Sequence, residues 1–248
     1  MKNPSVLTVI PARSGSKRIP SKNIRLFAGK PLIVHTIRQA KKIPFIGRII
    51  VDTDSKQIAT LARHESAEVP FLRPKRLAGD TSQVADSLRH LLMRLKSNEG
   101  YVPDYVLILQ ATSPLRKLSD ITACWRAMKK GGATTVLTVT PTHPRLYHIR
   151  RGFIALVNGS EKDSTNMQAW ESAYILNGCF AYIVKTAAFL KEGRIITKKT
   201  RPVICPKWRS VDLDTPEDWA LAEHLFKNRG AIETAIRKIG RAHAIKTI

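Results

Sequence analysis

The feature that most constrains the fold is a regular alternation of short apolar runs with longer amphipathic segments. Residues 6–10 form a continuous apolar run, which is typical of a strand buried on both faces of a parallel sheet. Helices are predicted at 31–42, 55–65, 82–96 and 119–130, and further strands at 48–51, 67–72, 105–109 and 134–139. This alternation predicts an α/β fold with a doubly wound, mostly parallel sheet.

The alternation is interrupted over residues 141–176, which are polar and lack a long periodic segment. We interpret this stretch as an inserted subdomain that serves as a lid or a dimerisation surface. Beyond it, strands are predicted at 179–184 and 203–211 and a helix at 216–227. Residues 1–228 are therefore predicted to form one domain, and residues 229–248 a basic helical tail that packs on the body or on a partner subunit.

The balance of charge indicates polyanionic partners. The 248 residues include 42 lysines and arginines against 19 acidic residues, which gives a formal charge of +23. Nucleic acid, nucleoside triphosphates and acidic sugars would all be attracted by such a chain. Aromatic residues amount to 6% and do not interleave with the basic runs, which disfavours nucleic acid. We interpret the charge as a generally basic surface with a locally basic active site.

The sequence predicts neither a membrane span nor a disulfide framework. No apolar run approaches the roughly 18 residues that a membrane helix requires, and the N-terminus lacks a signal-peptide pattern. Cys124, Cys179 and Cys205 are an odd and widely spaced set of cysteines. These features predict a soluble cytoplasmic protein without a membrane partner.

A basic loop follows the first predicted strand, at residues 11–23. Ligands of open α/β sheets bind beyond the carboxyl ends of the strands, so this loop is well placed for an anion. It matches neither the Walker A pattern nor Gly-x-Gly-x-x-Gly, and a solvated basic loop is the alternative. The candidate residues are Ala12, Ser14, Gly15 and Ser16 for a backbone cradle, and Arg13, Lys17, Arg18 and Lys22 for positive charge.

Two aspartates form a candidate metal site. Asp212 and Asp214 are two residues apart in an extended segment, so both carboxylates can face the same way. Two carboxylates, phosphate oxygens and water together suit Mg²⁺. Asp52 and Asp54, at the end of the second strand, form a rival pair, for which participation in capping the helix that begins at Ser55 is the alternative.

The loop at residues 10–23 resembles the signature loop of the acylneuraminate cytidylyltransferases, the CMP-sialic acid synthetases. The resemblance continues in order through the blocks 29–33, 51–54, 71–74, 77–81, 109–116, 177–178 and 211–218. It implies a Rossmann-like nucleotidyltransferase fold and the transfer of CMP from CTP to the anomeric hydroxyl of a nonulosonic (sialic-type) acid, with release of pyrophosphate. It also implies Mg²⁺, or Mn²⁺ in its place, and a homodimer.

The same resemblance implies roles for individual residues. The implied catalytic residues are Arg13, Lys17 and Lys22 on the triphosphate and Gln110 on the sugar. The implied substrate-binding residues outside the basic cluster are Asn23 in the nucleotide pocket, Arg73 near cytosine, Ser82, Arg116 and Asn177. The implied metal ligands are Asp212 and Asp214. For Arg116 the alternative is a role in ordering its own loop, and for Gln110 a hydrogen bond at the strand end.

The sequence departs from the family pattern near the expected acceptor and base. Ile175 and Leu176 stand where relatives often have an arginine, Ala111 stands where proline is common, and Ser82 is followed by Gln83 rather than serine. Sialic, legionaminic, pseudaminic and Kdo-type acids therefore all stay open as acceptors. Two further hypotheses are another sugar nucleotidyltransferase and a basic nucleic-acid-binding protein on an inactive transferase fold.

Overall fold

The computed structural model describes residues 4–157, 171–178 and 180–245. Its strands are β1 (Val6–Pro11), β2 (Leu26–Phe27), β3 (Lys30–Pro31), β4 (Arg48–Asp52), β5 (Tyr105–Ile108), β6 (Thr135–Thr142), β7 (Tyr147–Arg150), β8 (Phe153–Leu156), β9 (Ala173–Leu176), β10 (Tyr182–Lys185) and β11 (Thr200–Ile204). Its α-helices are α1 (Leu32–Ala40), α2 (Lys56–His64), α3 (Val84–Glu99), α4 (Leu118–Lys129), α5 (Thr186–Glu192), α6 (Pro216–Lys227) and α7 (Arg229–Ile245).

The central sheet has the strand order β11-β6-β10-β5-β1-β4, and β9 pairs with the C-terminal end of β6. Strand β1 runs parallel to β4 and β5, and β11 runs parallel to β6. Strand β10 is antiparallel to both of its neighbours, β5 and β6, so that β6 points the same way as β5. The predicted α/β fold with a mostly parallel sheet is confirmed, and the carboxyl ends of β1, β4 and β5 meet at one edge.

Helices cover both faces of the sheet, which makes the fold doubly wound. On one face, α1, α2 and α4 bury apolar side chains that include Ile37, Ile58 and Ile121. On the other face, α3 and α5 bury Leu88 and Phe189. Because β1 and β5 are covered on both sides, nearly all of their side chains must be apolar, which explains the continuous apolar runs in the sequence.

Three predicted strands differ from the observed ones. The strand predicted at 67–72 is reduced to a single bridge between Ile50 and Glu68, and Pro70 offers no N–H to extend it. The strand predicted at 179–184 is β10, which begins later, and Cys179 lies outside the described residues. The edge strand predicted at 203–211 is β11, which begins at Thr200 and ends before Pro206. Helix α5 was not predicted, since seven residues are too few to display a helical period.

The stretch predicted as an insertion consists of the end of β6, the hairpin β7–β8 and strand β9, and its residues 158–170 lie outside the described part of the chain. Its apolar side chains are unusually exposed: Ile149 is 80% and Phe153 is 77% accessible. Tyr174, Ile175 and Leu176 on β9 are also exposed. Exposed large apolar side chains that lie close together are typical of interaction surfaces.

Helix α7 begins directly after α6, where the basic tail was predicted. An ion pair between Lys117 and Glu233 links it to the start of α4, whereas Ile236 and Ile239 are exposed. Within the described ranges, no helix combines the length and the hydropathy needed to cross a bilayer.

A buried ion pair ties α4 to the segment that precedes α6. The two terminal nitrogens of the Arg209 guanidinium donate to the Asp120 carboxylate, Nη2 at 2.9 Å from Oδ1, and each side chain is 8% exposed. Asp120 Oδ2 also accepts a hydrogen bond from the backbone N–H of Lys117 at 2.8 Å, which caps α4. One carboxylate therefore fixes both the start of α4 and the approach to residues 212–214.

The substitution Asp120→Asn is expected to lower the free energy of unfolding by about 3–5 kcal/mol, because it leaves the Arg209 charge buried without a partner. Chemical denaturation followed by circular dichroism measures the change. Lys227→Met, in the exposed pair with Glu223, is the control and should cost below about 1 kcal/mol. Equal losses for the two variants would contradict a stabilising role for the buried pair.

Candidate active site

A cleft of about 450 Å³ opens beyond the carboxyl ends of the central strands, as expected for ligand sites in open α/β sheets. The predicted site residues that line it are Arg13, Ser16, Lys17, Arg18, Lys22, Asn23, Arg73, Ser82, Gln110 and Asp214. The loop after β1, the segments after β4 and β5 and the residues before α6 all contribute to this lining. The structure thus brings together residues from four distant parts of the chain.

The loop after β1 is held in place by contacts at its base. The Asp54 carboxylate accepts hydrogen bonds from the backbone N–H of Ser14 at 2.8 Å and from its hydroxyl. The Asn23 amide donates to the Arg13 carbonyl at 3.0 Å, and Ala12, which is buried, donates its N–H to the carbonyl of Asp52 at 2.9 Å. Ala12 and Ser14 therefore shape the loop from behind, while Ser16 faces the cleft.

Lys22 connects this loop to the aspartate segment. Its side chain is 14% exposed, and Nζ donates to the Leu213 carbonyl at 2.5 Å and to Asp214 Oδ1 at 3.3 Å. The Arg18 guanidinium lies 3.3 Å from Asp214 Oδ2. The Asp214 carboxylate is therefore held between two cations of the loop.

Arg13 and Lys17 both form an ion pair with the Asp80 carboxylate. Arg13 Nη1 donates to Asp80 Oδ1 and to the carbonyl of Gly79, both at 3.0 Å, and Lys17 Nζ lies 2.5 Å from Asp80 Oδ2. The Lys17 ammonium and then the Arg13 guanidinium lower the pKa of the Asp80 carboxyl. All three side chains line the cleft, so the carboxylate stands where an anionic ligand would meet these cations.

Arg73 is held at the base of the cleft by a buried ion pair. Its Nη2 lies 2.7 Å from Asp52 Oδ2 and donates to the carbonyl of Asp52 at 2.8 Å. Both side chains are almost fully buried. The rival metal pair of the sequence is thus engaged elsewhere: Asp52 holds Arg73, and Asp54 holds the loop at Ser14, while Ser55 caps α2.

Asp212 and Asp214 flank a buried anchor. The Leu213 side chain is inaccessible to solvent, and its N–H donates to the Thr112 carbonyl at 2.9 Å. Burial raises the pKa of the Asp212 carboxyl, and the nearby Asp214 carboxylate raises it further, against hydrogen bonds from Thr112 and Ser113. The segment therefore carries two neighbouring carboxylates, and that of Asp212 is poorly solvated. A bound cation would stabilise the charged forms of both.

This donor set fits a hard divalent cation that shares its coordination with a ligand. Within the described residues, no three His, Cys, Asp or Glu side chains form a group that could hold a metal on their own. Two carboxylates leave most positions of an octahedral ion to phosphate oxygens and water, as Mg²⁺ prefers. Such a cation would also relieve the repulsion between the two carboxylates.

Arg116 is not brought to the cleft. Its Nε donates to Gln39 Oε1 at 2.7 Å, and Nη1 donates to the carbonyls of Phe180 at 2.6 Å and Gln110 at 3.2 Å. The side chain is 4% exposed, so the guanidinium acts inside the protein. Of the two alternatives for Arg116, the geometry favours ordering of the loop after β5.

Asn177, Gly15 and Asp212 also lie outside the cleft lining. Asn177 is buried and hydrogen-bonded to Thr138 and Ser210, which suits a structural role. The sequence reasoning assigned no role to Asp80, although the block 77–81 was part of the resemblance. An aspartate in a loop gives no signal of its own, because its contact with Arg13 and Lys17 depends on the tertiary fold.

Comparison with known proteins gives consistent matches. A family model described as cytidylyltransferase matches residues 7–199. The CMP-N,N'-diacetyllegionaminic acid synthase of Legionella pneumophila is 38% identical over 228 residues, which cover 90% of this chain and 96% of that protein. The pseudaminic acid cytidylyltransferase of Campylobacter jejuni is 30% identical, with 92% of this chain and 97% of that protein covered.

A solved structure supports the fold. The CMP:2-keto-3-deoxy-manno-octonic acid synthetase complexed with CTP superposes with a TM-score of 0.65 at 16% identity, covering 91% of this chain and 99% of the other. This likeness concerns the architecture and agrees with a Rossmann-like nucleotidyltransferase fold.

The substitution Asp80→Asn is expected to tighten the binding of inorganic tripolyphosphate by about threefold at low ionic strength, because it removes the anion that competes for Arg13 and Lys17. Isothermal titration calorimetry measures the affinity. Asp86→Asn removes an exposed acidic charge outside the cleft lining and should change the affinity less. Weaker binding by Asp80→Asn would mean that Asp80 orders the two cations instead of competing for them.

Proposed function

The chain belongs to the cytidylyltransferase family, and we propose that it transfers CMP from CTP to the anomeric hydroxyl of a nonulosonic acid and releases pyrophosphate. The observation that carries this proposal is the contact of Lys22, from the basic loop, with Asp214, from the carboxylate pair, in a cleft at the carboxyl edge of the sheet. A phosphate-binding loop and a cation-binding pair thus adjoin each other. The family match favours this reaction over nucleic-acid binding on an inactive fold.

The main obstacle in the reaction is electrostatic, because CTP and the acidic sugar are both anions. Arg13, Lys17 and Lys22 would hold the triphosphate, with the backbone at Ser16 lining the same cleft. Fixed cations stabilise the charge that develops on the phosphoryl oxygens and do not need to reorganise during the reaction. Arg18, whose guanidinium lies 3.3 Å from Asp214 Oδ2, would keep this carboxylate oriented beside the bound triphosphate.

Asp212 and Asp214 would hold Mg²⁺, or Mn²⁺ in its place. When bound, the cation supplies Lewis-acid neutralisation of the phosphate oxygens around the α-phosphorus. The protein contributes the placement of the two carboxylates: the buried Leu213 between them, whose N–H donates to the Thr112 carbonyl, anchors the segment that carries both side chains.

Base and sugar would occupy opposite ends of the cleft. Arg73, rigidly paired with Asp52, and Ser82 line the part formed after β4 and before α3, where we place the cytosine. Gln110 lines the part formed after β5, where its amide would bind the acceptor, and the Thr112 hydroxyl donates to its Oε1 at 3.3 Å. Reacting atoms held in this way gain rate from orientation.

The acceptor is assigned as a nonulosonic acid, with N,N'-diacetyllegionaminic acid as the first candidate. The 38% identical relative carries this acid in its name. Ile175 and Leu176 lie exposed on β9 at the place where an arginine is common in the family, so recognition of the acceptor carboxylate would fall to other cations.

The experiment that tests this function is a panel of nucleoside triphosphates and keto-sugar acids, with pyrophosphate release as the measurement. CTP with legionaminic, pseudaminic or neuraminic acid should support turnover. Lys22→Ala should lower the rate about a hundredfold or more, because it removes a fixed charge from the triphosphate, and Lys56→Ala, at an exposed position of α2, should leave it unchanged. Equal rates for the two lysine variants, with the fold intact by circular dichroism, would remove Lys22 from the mechanism.

We further propose a homodimer that forms through the inserted stretch 141–176. The exposed side chains of Ile149 and Phe153 on the hairpin, together with those on β9, support this assignment, since large apolar groups close together favour a covered surface.

We also propose the cytoplasm as the site of action. Cys124 and Cys205, which are buried free thiols, suit a reducing compartment.

The double substitution Ile149→Asp and Phe153→Asp is expected to convert the dimer to a monomer, because four charges would have to be desolvated in the interface. Sedimentation velocity measures the mass. Met93→Asp is the control, since Met93 is 62% exposed on α3, outside the insertion. A wild-type chain that sediments as a monomer at high concentration would contradict the dimer itself, and a double variant that stays dimeric would contradict this interface.

A further inference from the structure

Gly178 lies against the carboxylate of Asp212. Its backbone has φ +65°, and a Cβ at this position would lie 2.6 Å from Asp212 Cγ, 2.7 Å from Oδ1 and 2.8 Å from Oδ2. These separations are shorter than van der Waals contact, so a side chain at 178 and the carboxylate cannot occupy their present places together. We propose that Gly178 is a positioning residue that sets the Asp212 carboxylate for cation binding; the inference rests on the proposed function.

The turn that contains Gly178 cannot move back from the carboxylate. Asn177 is 2% exposed, and its Oδ1 accepts from the Thr138 hydroxyl at 2.9 Å while Nδ2 donates to Ser210 Oγ at 3.1 Å. The carbonyl of Gly178 accepts a hydrogen bond from the Tyr182 hydroxyl at 3.1 Å. The turn is thus fastened to β6, to β10 and to the segment that precedes Asp212.

The carboxylate has little room on its other side. The Ser113 hydroxyl lies 3.5 Å from Asp212 Oδ1, and Leu213 is pinned to the Thr112 carbonyl. Any atom added at Gly178 would therefore rotate the carboxylate or shift the segment 212–214, and with it Asp214. The effect would fall on the geometry of the cation ligands and not on the cations that hold the triphosphate.

The structure offers a matched control for the backbone strain. Gly100, at the end of α3, has φ +63°, but nothing lies within 4 Å of where its Cβ would stand. Gly178→Ala and Gly100→Ala therefore carry the same left-handed strain, and they differ in whether the new methyl group meets a carboxylate. The shared strain lowers the melting temperature of both variants, and the contact with the Asp212 carboxylate adds to the decrease in Gly178→Ala.

The test measures CTP affinity by calorimetry with and without Mg²⁺, in the absence of acceptor. Mg²⁺ should tighten CTP binding to wild type and to Gly100→Ala, whereas Asp212→Asn should abolish this gain. In Gly178→Ala the Mg²⁺-dependent gain in CTP affinity should be smaller by a factor of at least about ten. Its CTP affinity without Mg²⁺ should stay within about twofold of the wild-type value. If Gly178→Ala fails to fold, Gly178→Asn is compared with Gly100→Asn instead. Asparagine adopts the left-handed backbone conformation more readily than alanine but still carries a Cβ.

The outcomes separate the two proposals. If wild type shows no Mg²⁺-dependent gain, or Asp212→Asn retains it, the proposed cation site fails. If these two behave as expected but the Gly178 variant keeps the full gain of its Gly100 counterpart, the positioning role of Gly178 is overturned. An equal loss of affinity with and without Mg²⁺ would also overturn it, because that pattern indicates general damage to the cleft.

Discussion

The site depends on the contact between Lys22 and the segment 212–214. Lys22 and Leu213 are 191 residues apart in the chain. The Lys22 ammonium is mostly buried, so its charge requires close acceptors, and it finds them in the Leu213 carbonyl and the Asp214 carboxylate. This contact closes the cleft between the first strand and the last α/β connection. Without it, the basic loop and the carboxylate pair would be two separate surface features.

Carboxylates inside the site hold its cations and its basic loop in position before a ligand binds. Asp80 faces Arg13 and Lys17, Asp54 fixes the loop at Ser14, and Asp52 neutralises Arg73. Asp52 and Arg73 are buried together and act as rigid structure, whereas Asp80 is exposed and can give way to a triphosphate. In a chain with a formal charge of +23, a few carboxylates thus hold the cations that line the cleft in place.

Local patterns predicted the elements that are either periodic or apolar. Strand β1, the helices α1 to α4 and the loop after β1 followed from the apolar run, the helical spacing and the basic residues. The antiparallel direction of β10 could not be predicted, because a buried strand has the same apolar pattern in either direction. For Arg116, the residue type suggested an anion partner, while the partners observed are carbonyls of Phe180 and Gln110 that only the folded chain brings near. Asp52 and Asp54 matched a metal pattern for the same reason: spacing shows which way side chains point, not which neighbours they meet.

Strand β6 pairs with two antiparallel partners along its length: β10 along residues 135–137 and β9 along residues 139–142. The ladder that supports the nucleotide cleft is therefore separate from the ladder that supports the insertion. Changes in the length or sequence of the insertion can accumulate without altering the register of β1, β4 and β5. The inserted stretch is therefore a structural attachment to β6, and the strands that carry the cleft keep their own pairing partners.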